Sequence, residues 1–101
     1  MDPYSDDRPF IALEQMHLYD AIDRETSRMY GSKVRAAAIS NVDYKVRFGK
    51  LSSSQEMKPP PSCGRIYPGF VVVRQLGTSR QYETWMPDHV FEELYRAPGE
   101  C

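Results

Sequence analysis

Gly69-Phe70-Val71-Val72-Val73-Arg74, the turn Gly77-Thr78-Ser79-Arg80 and the return run Gln81-Tyr82-Glu83-Thr84-Trp85 decide the fold. The first run is β-branched and apolar, the last alternates, and a Gly-led tetrapeptide separates them, so the pattern predicts a β-hairpin. Pro87 then opens a short helix, with Asp88 in its first turn where the dipole favours an anion. Val90, Phe91, Leu94 and Tyr95 make its apolar face, and Pro98-Gly99 stops it. Trp85, Phe91 and Tyr95 read as a corner that locks the ribbon to this helix, since Phe91 and Tyr95 fall at i and i+4.

Working back from the hairpin, Lys33-Val34-Arg35-Ala36-Ala37-Ala38-Ile39 begins with polar and apolar alternation and predicts another strand. Ser40 with Asn41-Val42-Asp43 resembles a capping box, predicting one or two helical turns that carry Tyr44, Val46 and Phe48 and end at Gly49. Residues 50–68, with three consecutive serines and Pro59-Pro60-Pro61, read as a long, partly stiff loop. Farther back, Asp7 as cap, Pro9 in the first turn and Gly31 as stop bracket a helix over residues 8–30. Ile11, Leu18, Ile22 and Met29 form its stripe, and Asp20 and Arg24 stand at i and i+4. Phe10, Leu13, Met16 and Tyr19 lie off that stripe and form a second apolar face, a candidate partner-binding surface. The expected architecture is α+β: a long N-terminal helix, a small antiparallel sheet of three or four strands and a short C-terminal helix. Residues 1–7 read as a flexible leader, 8–97 as a single domain and 98–101 as a tail.

Composition narrows the function classes. The chain has 101 residues, 41% hydrophobic and 27% charged, which suits one small globular domain. Thirteen basic against fourteen acidic residues give a net charge of −1, so no global field draws it to nucleic acid or an anionic membrane. Apolar runs are too short to span a bilayer, and the first residues are acidic where a signal peptide is basic and then apolar. Cys63 and Cys101 read as free thiols, consistent with a cytoplasmic location.

No familiar reaction centre is visible. His17 and His89 have no nucleophile placed beside them, and adjacent Glu92 and Glu93 point about 100° apart on a helix, so they do not share a site. Neither a phosphate-cradling Gly loop nor a cysteine–histidine pair at metal-ligand spacing occurs, so no cofactor or metal is expected. Lys33, Arg35, Lys45, Arg47 and Lys50, interleaved with Tyr44 and Phe48, offer a weak nucleic-acid patch. Arg65, Arg74 and Arg80 with Tyr67 and Tyr82 are the candidate ligand-binding residues, because Arg forks and aromatic faces suit a phosphorylated nucleotide.

The block Trp85-Met86-Pro87-Asp88-His89-Val90-Phe91-Glu92-Glu93-Leu94-Tyr95 resembles small accessory proteins of tailed bacteriophages and prophages. Those end in a strand followed by a Trp-x-Pro-x-x-Val-Phe-x-x-x-Tyr motif. Gly69 to Val72, Tyr82, and upstream Lys33-Val34-Arg35-Ala36, Ile39-Ser40, Tyr44 and Gly49 also match, while the family's acidic stretch is replaced here by the Pro-rich segment. The resemblance spans roughly residues 33–96 and implies viral origin and the cytoplasm of the infected bacterial host. The expectation is a non-enzymatic accessory protein that binds a host or phage protein, with inhibition of a host defence system as its purpose. A second copy of the chain is an alternative cover for the extra apolar face. A small-molecule (signalling nucleotide) sequestering protein and a nucleic-acid-binding module are the alternative functions.

Overall fold

The computed structural model describes residues 10–61 and 64–97; the leader 1–7, the cap at Asp7 and Pro9, both cysteines and the tail 98–101 lie outside them. Strands β1 (His17–Ala21), β2 (Lys33–Ala38), β3 (Gly69–Arg74), β4 (Tyr82–Pro87) and β5 (Tyr95–Arg96) form one sheet in the order β4-β3-β2-β1-β5. All four pairings are antiparallel. Helices α1 (Arg24–Tyr30), α2 (Asn41–Leu51) and α3 (Asp88–Leu94) connect and cover it.

β3 lies inside the sheet and is buried on both faces, which is why Val71, Val72 and Val73 run without polar alternation. Burying each of these valines contributes about 1.5–3 kcal/mol. Val71 and Val73 join Ile11, Met16, Ala37, Ile39 and Tyr44 on the face carrying α2. Val72 joins Val34, Ala36, Met86, Phe91 and Tyr95 on the opposite face, carrying α3. The alanines of β2 suit their place, because short side chains leave room for Tyr44 on one side and Phe91 on the other.

The long N-terminal helix does not form. Residues 13–15 make a single 3-10 turn, His17–Ala21 is a strand, and a helix begins only at Arg24. Asp23, expected inside the helix, is instead the N-cap of α1, its Oδ1 accepting from the Thr26 amide at 2.7 Å. The expected Asp20–Arg24 helical pair is replaced by a cross-strand one, Lys33 Nζ donating to Asp20 Oδ1 at 2.6 Å. Pairing with β2 thus overrides local helix signals. Of the supposed core stripe, Leu18, Ile22 and Met29 are exposed and Ile11 alone is buried.

With the helix goes its second apolar face. Met16 is buried and Leu13 half-buried in the α2-side core, whereas Tyr19 packs edge-on against Phe91 on the other side, centroids 4.9 Å apart. Phe10 alone of the four is exposed. The sheet accordingly has five strands rather than three or four, the extra ones being β1 and the two-residue β5.

Three smaller corrections concern helix ends and the corner. α2 starts where expected, Ser40 Oγ accepting from the Asp43 amide at 3.1 Å, but runs through Gly49 to Leu51. α3 stops at Leu94, and Tyr95 leaves it to pair with Ala21 of β1. The corner is real for Phe91 and Tyr95, centroids 5.4 Å apart, but Trp85 sits on the opposite face of the sheet. Strand alternation explains this: Met86, not Trp85, points toward Phe91.

Candidate functional site

The loop that leads into β3 is fastened to the start of α2 by one buried residue. Asn41 donates from Nδ2 to the Arg65 carbonyl at 2.9 Å and accepts at Oδ1 from the Tyr67 amide at 2.8 Å. Its own amide donates to the Tyr67 carbonyl at 3.2 Å. Yet this anchored loop presents apolar side chains outward: Ile66 is 73% exposed and Tyr67 44%. A buried polar side chain fully satisfied by a loop backbone fixes that loop's conformation.

Beside the loop runs an apolar groove of about 320 Å³, lined by Pro61, Tyr67, Pro68, Trp85, Pro87, Asp88 and His89. Trp85 forms its floor, and its indole is immobilised because Nε1 donates to the Ile39 carbonyl at 2.9 Å. Gly69 makes this placement possible: a Cβ there would overlap the Trp85 ring and the Met86 carbonyl oxygen. His89 is exposed at the rim, its Nδ1 4.0 Å from Asp88 Oδ1.

Next to this groove β4 carries a buried ion pair. Arg47 donates from Nε and Nη2 to the two carboxylate oxygens of Glu83 at 2.7 and 2.8 Å, and from Nη1 to the Ile11 carbonyl at 2.7 Å. Gln55 Nε2 adds a further bond to Glu83 at 2.8 Å. Tyr44 lies in the same layer, donating to the Lys58 carbonyl at 2.5 Å. Burial holds its phenol well above the ordinary value, the Glu83 carboxylate adds to the rise, and Arg47 opposes it. Arg47 therefore belongs to the core, not to a basic surface patch. Lys33 and Arg35 are also engaged, Arg35 Nη1 donating to the Met16 carbonyl at 3.0 Å.

The candidate ligand residues do not converge on one place. Arg74 is sandwiched on the α3 side, its guanidinium 3.8 Å from the Tyr30 ring centre and Nε donating to the Tyr95 hydroxyl at 3.0 Å. Burial works to lower its pKa, but the Tyr82 and Tyr95 hydroxyls outweigh that and raise it. Tyr95 is itself raised by burial, with Arg74 opposing. Tyr82, whose hydroxyl reaches Arg74, also lines with Arg80 a polar pocket of about 370 Å³ bounded by Glu56, Met57, Lys58 and Ser79. Tyr67 belongs to the apolar groove, and Arg65 is exposed in the loop that Asn41 holds.

Sequence reading missed the role of Asn41, Gly69 and the prolines in shaping the groove. The available signal was the density of Pro59 to Pro61, Pro68 and Pro87 around one tryptophan, since proline is placed where a strand edge is not continued. Among the described residues, no cluster of His, Cys, Asp and Glu is arranged to hold a metal, and no helix is long and apolar enough to cross a membrane. No protein-family model, curated protein or solved structure matches the chain.

Proposed function

We propose that this chain is a non-enzymatic accessory protein of the phage kind its sequence resembles, acting in the cytoplasm of the infected bacterium by binding a host or phage protein. Inhibition of a host defence system is the purpose that the resemblance suggests. The observation that carries the binding reading is the rigid apolar surface made by Ile66, Tyr67 and Trp85. Isolated exposed apolar residues are ordinary. An exposed pair in a loop whose backbone at Arg65 and Tyr67 shares three hydrogen bonds with buried Asn41, next to a tryptophan seated by a glycine, is a preorganised contact surface.

Affinity purification from infected cells, wild type beside Ile66→Asp, tests this. Ile66 is so exposed that the change leaves folding intact. The wild type should bring down a stoichiometric partner that the variant loses. Recovery of neither, or equal recovery by both, overturns the reading. Light scattering beforehand separates a foreign partner from a second copy of the chain.

A nucleotide-sequestering role is the second reading, favoured by one observation: Lys58 and Arg80 share the polar pocket with Tyr82, Lys58 Nζ standing 5.5 Å from the Tyr82 ring centre. Native mass spectrometry should then show a phosphorylated ligand that disappears on Arg80→Ala. A ligand-free mass for protein purified from infected cells sinks it.

A further inference from the structure

Tyr82 links three positive side chains. Lys58 Nζ stands 5.5 Å from its ring centre, Arg80 lines the same pocket, and Arg74 reaches its hydroxyl from the α3 side of the sheet. Arg74 is half-buried, its guanidinium on the Tyr30 ring and its Nε on the Tyr95 hydroxyl. Among the described residues no carboxylate pairs with it. A guanidinium has donors only. The Tyr82 oxygen therefore turns a lone pair to Arg74, and its hydrogen is left to point into the pocket.

Both walls of the pocket are fastened by hydrogen bonds. The Lys58 amide donates to the Glu83 carbonyl at 2.8 Å, and its carbonyl accepts from the Tyr44 hydroxyl at 2.5 Å. In the β3–β4 turn, Thr78 Oγ1 accepts from the Arg80 amide at 3.1 Å and donates to the Gln75 carbonyl at 2.8 Å. Lys58 and Arg80 thus sit on two separately fixed segments, and gathering their charges costs little at the moment of binding.

Lys58, Arg80 and the Tyr82 hydroxyl present donors to this space, a set that suits the oxygens of a phosphate. Glu56 lines the pocket too; its carboxylate repels a phosphate but accepts from hydroxyl groups. The volume, about 370 Å³, lies at the small end of ligand sites. We propose that the pocket binds a sugar phosphate of mononucleotide size, its phosphate held by Lys58, Arg80 and the Tyr82 hydroxyl and its sugar hydroxyls facing Glu56. Arg74 is a positioning residue that aims the Tyr82 hydroxyl. The inference rests on the nucleotide-sequestering reading above and adds the ligand class and the group that orients it.

Calorimetric titration of the intact chain with adenosine 5′-monophosphate, ribose 5-phosphate, adenosine and inorganic phosphate tests it. The two esters should bind at least tenfold more tightly than adenosine or inorganic phosphate. A monophosphate tighter than ribose 5-phosphate makes the ligand a nucleotide; equal affinity makes it a sugar phosphate. Arg80→Ala should weaken the esters about tenfold or more, and Tyr82→Phe about threefold to tenfold. Arg74→Met should weaken them as much as Tyr82→Phe, and the double variant no further than either alone, because both act through one hydrogen bond. Tyr82→Phe removes a single oxygen, so it decides the phosphate contact even where Arg74→Met does not fold. Additive losses overturn the positioning role. Unchanged affinity in Tyr82→Phe, adenosine binding as tightly as the esters, or no binding by either ester overturns the site. The mass of protein from infected cells decides the sequestering reading separately: a phosphorylated ligand found there, with Tyr82→Phe indifferent here, removes this assignment and leaves that reading standing.

Discussion

On the α2 side of the sheet a bidentate Arg47–Glu83 pair, backed by Gln55 and the Ile11 carbonyl, sits beside Tyr44 in the packed layer. On the α3 side the layer is closed by rings: Phe70 stacks on Phe91 at 4.0 Å, Tyr19 meets both edge-on, and Tyr95 leans on Phe91. The first arrangement depends on direction and partner number. The second depends on volume. A buried ion pair contributes little net stability over apolar residues of the same shape, yet breaking it is costly, because one charge remains unpaired. What the polar face gains is register: Arg47 fixes where α2 lies over β4, and so where Tyr44 meets Lys58.

The largest expected effects separate the two faces. Glu83→Ala should cost about 3–5 kcal/mol by leaving Arg47 uncompensated, and Phe91→Ala about 3–5 kcal/mol by emptying the aromatic layer. Urea midpoints measure both. The contrast lies in rescue: Arg47→Met added to Glu83→Leu should recover most of the loss, whereas no single second change restores Phe91→Ala. A cost below about 1 kcal/mol for Glu83→Ala would mean that Arg47 reaches water, and the contrast would fail.

The junction between the faces comes next. Gly69→Ala forces a methyl into the Trp85 ring and the Met86 carbonyl, an overpacking that should cost about 1–3 kcal/mol. Because Trp85 is the chain's single tryptophan, the displaced ring should also shift the emission maximum. Unchanged emission with a small cost would show that the indole is not held where its hydrogen bond to Ile39 places it.

Alkaline pH sharpens the comparison through Tyr44. Its folded pKa is raised above the ordinary value near 10, so its contribution is intact below pH 10. Above pH 10 the unfolded chain releases the phenolic proton while the folded chain keeps it, so stability falls as pH rises, by up to about 1.4 kcal/mol per pH unit. Burial raises Tyr19 and Tyr95 in the same direction but less far than Tyr44, so the fall traced to the α2 side should continue to the higher pH. Urea unfolding at pH 8, 10 and 11 should show a slope that Tyr44→Phe reduces. An equal slope in that variant would assign the effect elsewhere.

The β3–β4 hairpin and the start of α3 were legible in the chain because their signals are local: a β-branched run, a Gly turn, a proline at the helix start. The Ser40 cap was legible for the same reason. Residues 8–30 were misread because apolar residues at helical intervals coincide with a strand whose partner, β2, follows more than ten residues later. Nothing local announces that Asp20 meets Lys33. Of the site, Tyr67, Trp85 and Pro87 had drawn attention as individual residues. Their convergence depends on Asn41 reaching across to Arg65 and Tyr67, a link spanning 24 and 26 residues that no periodicity encodes.

The smallest expected effect concerns how helices on the two faces begin. α2 is capped by a side chain, Ser40 Oγ accepting from the Asp43 amide, whereas α3 starts at Pro87, which supplies no side-chain acceptor. Ser40→Ala should therefore cost about 1 kcal/mol, and Ser40→Asp should retain most of the cap. The position matters beyond its size because Asn41 is the first residue of α2. If that turn frays, the bonds from Asn41 to Arg65 and Tyr67 loosen, and the exposed Ile66–Tyr67 pair loses its fixed geometry. Amide exchange at Tyr67 should accordingly rise in Ser40→Ala by more than at Val72, whose strand lies in the core. Equal acceleration at both would mean that the loop and the core open as one unit, and that the groove has no separate anchor.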